Sequence, residues 1–201
     1  MNNLDLELKT LKILKEIEKK GDKFYVQTKG KKKEIIKVWR ISFEKGLLLH
    51  SFVLQNKPKR ILELGTSIGY STLFLADAAK KVKGFVESVE VMEEKVNLAT
   101  NNIVNAGFGS VAKVHNANIM NFIPTFSKKI GLLFIDANKG QYIDYYNGLK
   151  KNLEQGAIIF ADNTNKETTN PFKNKVRSEL GSGIREYEIN FKEDYLVAKR
   201  L

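Results

Sequence analysis

Two carboxylates and an amide stand where short apolar runs end. Residues 130–137 (IGLLFIDA) carry Asp136, and residues 157–163 (AIIFADN) carry Asp162 and Asn163. Side chains at the ends of buried strands project into a common crevice. The 26 residues from Asp136 to Asp162 amount to one strand–helix–strand unit, so the two strands can be neighbours. Two carboxylates and an amide oxygen are hard donors, suited to Mg²⁺, Mn²⁺ or Ca²⁺ with further positions open to water or substrate. Mg²⁺ is the leading choice, and oxygen ligands alone do not choose among the three. Either aspartate by itself would serve as well to cap a helix or turn. The pair together, with Asn163 adjacent and Lys139 three residues after Asp136, favours a cation site.

A second constellation lies upstream. The run Glu63-Leu64-Gly65-Thr66-Ser67-Ile68-Gly69-Tyr70-Ser71 brackets three residues between two glycines, after an acid. It lacks the G-x-G-x-x-G spacing that brings amides around a pyrophosphate, and it lacks the Lys-Ser/Thr ending of a P-loop. Glu90 follows Gly69 by 21 residues and ends the next apolar run, where a carboxylate can accept both hydroxyls of a ribose. The two features together describe a nucleoside-bearing cofactor without a pyrophosphate.

The elements that position these residues follow from periodicity. Residues 4–20 read as an amphipathic helix with Leu4, Leu8, Leu11, Leu14 or Ile13, and Ile17 on one stripe. It would pack on its own domain or on a second copy, as in a homodimer. A lysine-rich turn follows, then a helix from Ser42, a plausible N-cap, to Gln55, closed by Pro58. From residue 60 short apolar runs (60–65, 84–91, 111–117, 130–137, 157–163) alternate with helical stretches (to Ala79, 93–106, a short one before 130, and 141–154). That alternation means a doubly wound α/β, Rossmann-like parallel sheet. A polar loop leads to a helix near residues 172–180. Strands at 185–191 and 194–200, separated only by Lys192 and Glu193, must form an antiparallel hairpin. The expectation is a single domain over residues 1–201, with N-terminal helices at 1–57 and the sheet at 58–201.

Composition closes off several classes. The 201 residues contain no cysteine, which excludes disulfides, thiolate nucleophiles and cysteine-held metal clusters. With 42% hydrophobic residues the chain is not disordered. No apolar run approaches the ~20 residues a membrane-spanning helix needs, and the start of the chain shows no export pattern. A soluble, cytoplasmic protein with no membrane contact is expected. The net charge is +11, and residues 1–40 carry 12 Lys or Arg against six Asp or Glu, including Lys29, Lys31, Lys32 and Lys33. Such a segment could attract a phosphate backbone. Only five of the 34 basic residues are arginine, the better phosphate reader, which favours a solvated face instead.

The segments ELGTSIGYS and SVEVMEEKVNLATNNIVNAGF resemble class I S-adenosylmethionine-dependent methyltransferases, and more narrowly the catechol and caffeoyl-coenzyme A type of O-methyltransferase. The resemblance runs from about Ile41 to Asn163 and more weakly through DYLVAKR. It implies a seven-stranded sheet with a reversed final strand, in agreement with the hairpin. It implies that Glu63, Gly65, Ser67, Gly69 and Ser71 surround the methionine half of the cofactor, that Glu90 holds the ribose, and that Asn116 and Ala117 contact the adenine. Similar proteins often have Asp at the position of Asn116. Asp136 belongs to both the cofactor set and the cation set.

The same resemblance assigns Asp136, Asp162 and Asn163 to a divalent cation and Lys139 to the base. A diol, or a hydroxyl beside a carbonyl, would chelate the cation, which stabilises the oxyanion; Lys139 would take the proton, and the oxygen would attack the sulfonium methyl. The implied function is methyl transfer to a small catechol-like or vicinal-oxygen acceptor. The alternative keeps the chemistry and changes the substrate to a 5-hydroxyuridine in tRNA, gripped by the basic N-terminal region. Ala137-Asn138 stand where similar animal catechol enzymes carry a His-Trp pair, so that aromatic wall is not evident. Trp39 and Phe43 could line the pocket or belong to the core; His50 reads as structural, and His115 as either.

Overall fold

Residues along β3 (Arg60–Leu64) alternate between two cores: Ile61 packs into one, Leu62 and Leu64 into the other. That period of two, repeated along the neighbouring strands, makes the sheet the middle of three layers. The computed structural model describes residues 6–27, 33–179, 184–187 and 195–200.

Four helices cover one face. They are α1 (Leu8–Lys20), α2 (Phe43–Asn56), α3 (Tyr70–Val82) and α4 (Glu93–Asn105). The other face is covered by α5 (Ile119–Phe122), α6 (Tyr142–Leu149) and α7 (Asn170–Ser178). Between them lie β3, β4 (Phe85–Glu90), β5 (Ala112–Asn116), β6 (Ile130–Ile135), β7 (Leu153–Ala161), β8 (Ile184–Tyr187) and β9 (Leu196–Arg200). The sheet order is β5-β4-β3-β6-β7-β9-β8. β9 runs antiparallel to both of its neighbours, while the β5-to-β7 half is parallel throughout. The seven strands and the reversed last one are as expected. Order reverses between β3 and β6, and ligands of open α/β sheets bind at such a switch.

Three expectations need correction. The lysine-rich turn contains an antiparallel pair, β1 (Lys23–Gln27) with β2 (Lys33–Lys37); Phe24 and Ile36 are buried in it, a strand signal masked by the surrounding lysines. Lys29, Lys31 and Lys32 lie outside the described residues. The helix 4–20 begins at Leu8, and Leu8 is 84% exposed. Its inward stripe is Thr10, Leu14 and Ile17, because Thr10 donates to Asp77 Oδ2 at 2.8 Å and so rotates Leu8 outward. Leu4 is outside the described residues. Finally, α6 stops at Leu149 and β7 starts at Leu153, earlier than the apolar run suggests.

α1 is fastened to its own domain. Asp77, fully buried on α3, also accepts from the Glu7 amide at 2.8 Å, pairs with His50 at 3.0 Å and meets Lys81 at 2.8 Å. His50 is structural, as read from the sequence. Phe43 packs edge-on against Phe74, so it belongs to the core. Among the described residues no helix is long and apolar enough to cross a membrane.

Candidate active site

A cleft of about 990 Å³ opens over the carboxyl ends of β3, β4, β6 and β7. Gly65, Ser67, Ser71, Glu90, Asp136, Lys139, Asp162 and Asn163 all line it. Residues separated by almost a hundred positions in sequence thus share one wall, as strand-end placement requires.

The glycine loop is built by close approach. Gly65 has φ +100, and a Cβ there would lie 2.1 Å from the Asp136 carbonyl oxygen. Ser67 follows in the left-handed region, φ 49, which aims its amide at Glu90 Oε2 across 2.9 Å. The other carboxylate oxygen of Glu90 accepts from the Val91 and Met92 amides, each at 3.0 Å. Three backbone donors therefore fix this carboxylate and leave Oε2 free to accept from a ligand hydroxyl. Ser67 Oγ is buried and unpartnered among the described residues. An orphaned hydroxyl in a polar cleft fits a ligand that supplies its partner.

Four expected contacts lie off the cleft wall. Glu63 is fully buried behind the loop; Ser71 and Thr72 donate to it, as does Ser88 at 2.6 Å. Burial pushes its carboxyl up to about 7, opposed by those hydroxyls. Glu63 reaches the cleft through Ser71. Gly69 is the N-cap of α3, φ 82, and a Cβ there would press on Ala99 at 3.2 Å. Its lack of a side chain lets the loop pack against α4. The Asn116 amide donates to the Glu90 and Val91 carbonyls at 3.2 and 3.0 Å, and the Ala117 amide to Glu90 at 2.9 Å. At that end Asn118 and Ile119 form the wall, two residues further along the chain.

The opposite end holds the acids. Lys139 Nζ donates to Asp136 Oδ1 at 2.6 Å. Asn163 is left-handed, φ 52, and its backbone N–H donates to Asp162 Oδ1 at 2.8 Å. The Tyr142 hydroxyl clamps both strand ends, donating to the carbonyls of Ile135 at 3.2 Å and Asp162 at 3.1 Å. Burial, with Asp136 nearby, pushes the Asp162 carboxyl upward, while Lys45 pulls it back. Among the described residues no cluster of three His, Cys, Asp or Glu side chains forms; the oxygen set here is two carboxylates and one amide. That donor chemistry fits a hard divalent cation.

Sequence reasoning missed Lys45, Arg40 and Lys95. Lys45 is a buried cation near the start of α2, just before Leu47, Leu48 and Leu49, and ion-pairs with Asp162. A lysine among leucines was the available signal. Lys95 Nζ sits 5.0 Å from the ring centre of Trp39, which lines the cleft and is 73% exposed. His115 lies 3.3 Å from Glu87 and is not on the cleft wall.

The strand order and this cleft are those of a class I methyltransferase fold. The family model for O-methyltransferase matches residues 15–194, and the chain belongs to that family. It is similar to a catechol O-methyltransferase of Niastella koreensis, 30% identical over 127 residues, which are 61% of this chain and 57% of that protein. It is also similar to a caffeoyl-CoA O-methyltransferase of Stellaria longipes, 30% identical over 126 residues, 59% of this chain and 52% of that protein. The chain spans about half the length of the curated relatives it matches. In fold it resembles an O-methyltransferase from Bacillus cereus solved with SAH, with a TM-score of 0.78, 18% identity, and 97% and 91% of the two chains covered.

Proposed function

We propose that the protein is an S-adenosylmethionine-dependent O-methyltransferase acting on one of two adjacent oxygens of a small catechol-like acceptor. The observation that carries this reading is convergence: Asp136, Lys139, Asp162 and Asn163 line the same cleft as the glycine loop and Glu90. In this reading Glu90 holds the ribose hydroxyls and Gly65, Ser67 and Ser71 cradle the methionine half. Asn118 and Ile119 border the adenine, with Asn116 and Ala117 shaping the strand end behind them.

Asp136, Asp162 and Asn163 would hold a divalent cation, Mg²⁺ first among the three candidates. The bound groups supply an activated methyl and an electrostatic sink for an acceptor oxyanion. Lys139 accepts the hydroxyl proton at Nζ, and the ammonium so formed is met by Asp136 Oδ1, 2.6 Å away. The cleft then contributes orientation, since the donor is already reactive. Members of the family that act as catechol and caffeoyl-CoA O-methyltransferases support the acceptor class.

The test is methyl transfer from labelled S-adenosylmethionine with Mg²⁺ to a catechol and caffeoyl panel, beside bulk tRNA lacking the modification. Label in a small product, lost on chelation and in Lys139→Ala while cofactor binding persists, is the expected result. Label confined to tRNA would replace the acceptor class and implicate the basic N-terminal region. Undiminished transfer after thorough chelation would reject the cation.

A further inference from the structure

The proposed chemistry gives no task to the buried charge that pairs with Asp162 on the cleft wall. Lys45 is the third residue of α2, and its side chain is 4% exposed; its partner Asp162 is 5% exposed. The ammonium also lies 5.7 Å from the ring centre of Tyr195. Its backbone is pinned, because the Lys45 amide donates to the N-cap hydroxyl of Ser42 at 3.2 Å. A lysine so enclosed is costly unless its charge is matched. The second pair in this corner is different. Lys139 and Asp136 are 26% and 20% exposed, so water screens them and Lys139 can swing away.

We infer that Lys45 is a resident counter-cation that weakens the hold of this corner on a divalent ion; the inference rests on the cation reading above. A dication at Asp162 must share the carboxylate with an ammonium whose side chain is only 4% exposed. Like charges close together in a poorly screened site repel strongly. The free protein therefore binds the ion loosely, and firm binding awaits the acceptor's own oxygens as additional ligands. Lys45 is a positioning and tuning residue, distinct from the base.

Mn²⁺ binding to the full chain, read by electron paramagnetic resonance without acceptor, tests this. Lys45→Met and Lys45→Gln should bind Mn²⁺ at least tenfold more tightly than the parent, and Lys45→Arg should stay within about threefold of it. Two neutral variants guard against one failing to fold, which thermal melts would reveal. Equal or weaker Mn²⁺ affinity in the folded neutral variants overturns the inference and leaves the cation reading standing. Absence of Mn²⁺ binding in every form, or binding unaffected by Asp162→Asn, removes the cation reading and the inference with it. A merely structural lysine would not yield tighter binding when removed.

Discussion

The carbonyl oxygen of Asp136 lies where a side chain on Gly65 would begin, 2.1 Å from an ideal Cβ. The end of β6 and the loop after β3 are therefore in backbone contact. Gly65→Ala must separate them, in a backbone conformation (φ +100) that alanine also disfavours. Both proposed half-sites should suffer together: cofactor affinity down at least tenfold, turnover down further, and a loss of about 2 kcal/mol in stability. Calorimetric binding and urea unfolding of the variant check this; an unchanged cofactor affinity would show that the loop yields without cost.

Glu90 is held by the amides of Ser67, Val91 and Met92, so its geometry survives only with a carboxylate. Glu90→Ala should raise the KM for S-adenosylmethionine by about 10- to 100-fold, the loss of one or two charge-assisted hydrogen bonds. kcat at saturating cofactor should change little, because the ribose is remote from the methyl. A fall in kcat with KM intact would place Glu90 at the reacting centre instead.

Acid should loosen the N-terminal helix. Burial would raise the Asp77 carboxyl, but bonds from His50, Lys81, the Glu7 amide and Thr10 hold it down to about 2, against an ordinary 3.8. Between those values the unfolded chain binds a proton that the folded chain does not. Stability from this group is thus complete above about pH 4 and lost as pH falls toward 2, by about 2 kcal/mol. Asp77→Asn should be less stable at pH 7 and show a flatter urea midpoint between pH 4 and 2. A parallel pH slope in both proteins would remove Asp77 from the account.

The chain has a single tryptophan, and Trp39 stands on the cleft wall with Lys95 over its ring. Its emission should therefore report ligand entry without a label. Saturating S-adenosylhomocysteine should shift it to the blue or quench it, with the same Kd that calorimetry gives. Constant emission at saturation would put Trp39 off the ligand path.

Strand ends were legible in the sequence because burial there demands unbroken apolar runs, and polar residues closing such runs have few other places to go. Asp136, Asp162, Asn163 and Glu90 were found in that way, as was the reversed β9 through its short link to β8. Glu63 and Asn116 lie off the cleft wall because a motif fixes a residue's position along a strand and not the rotation of its side chain. At Glu63 three hydroxyls from α3 and β4 turn the carboxylate inward. Lys45 escaped notice since its partner lies 117 residues away, and no local pattern announces so distant an ion pair. The β1–β2 pair was missed because a high density of lysines outweighed the alternation of Phe24 and Ile36.

Two non-glycine residues in the cleft, Ser67 and Asn163, keep a left-handed backbone at φ 49 and 52, each at a cost of about 1 kcal/mol. Heat selection would find glycine at both positions an easy gain, since glycine relieves the torsion without disturbing the core. At 163 the same exchange deletes the amide oxygen, and at 67 it deletes the buried hydroxyl left unpartnered among the described residues. Directed evolution for heat tolerance alone is thus expected to converge on a sturdier and inert protein, unless turnover is scored in every round.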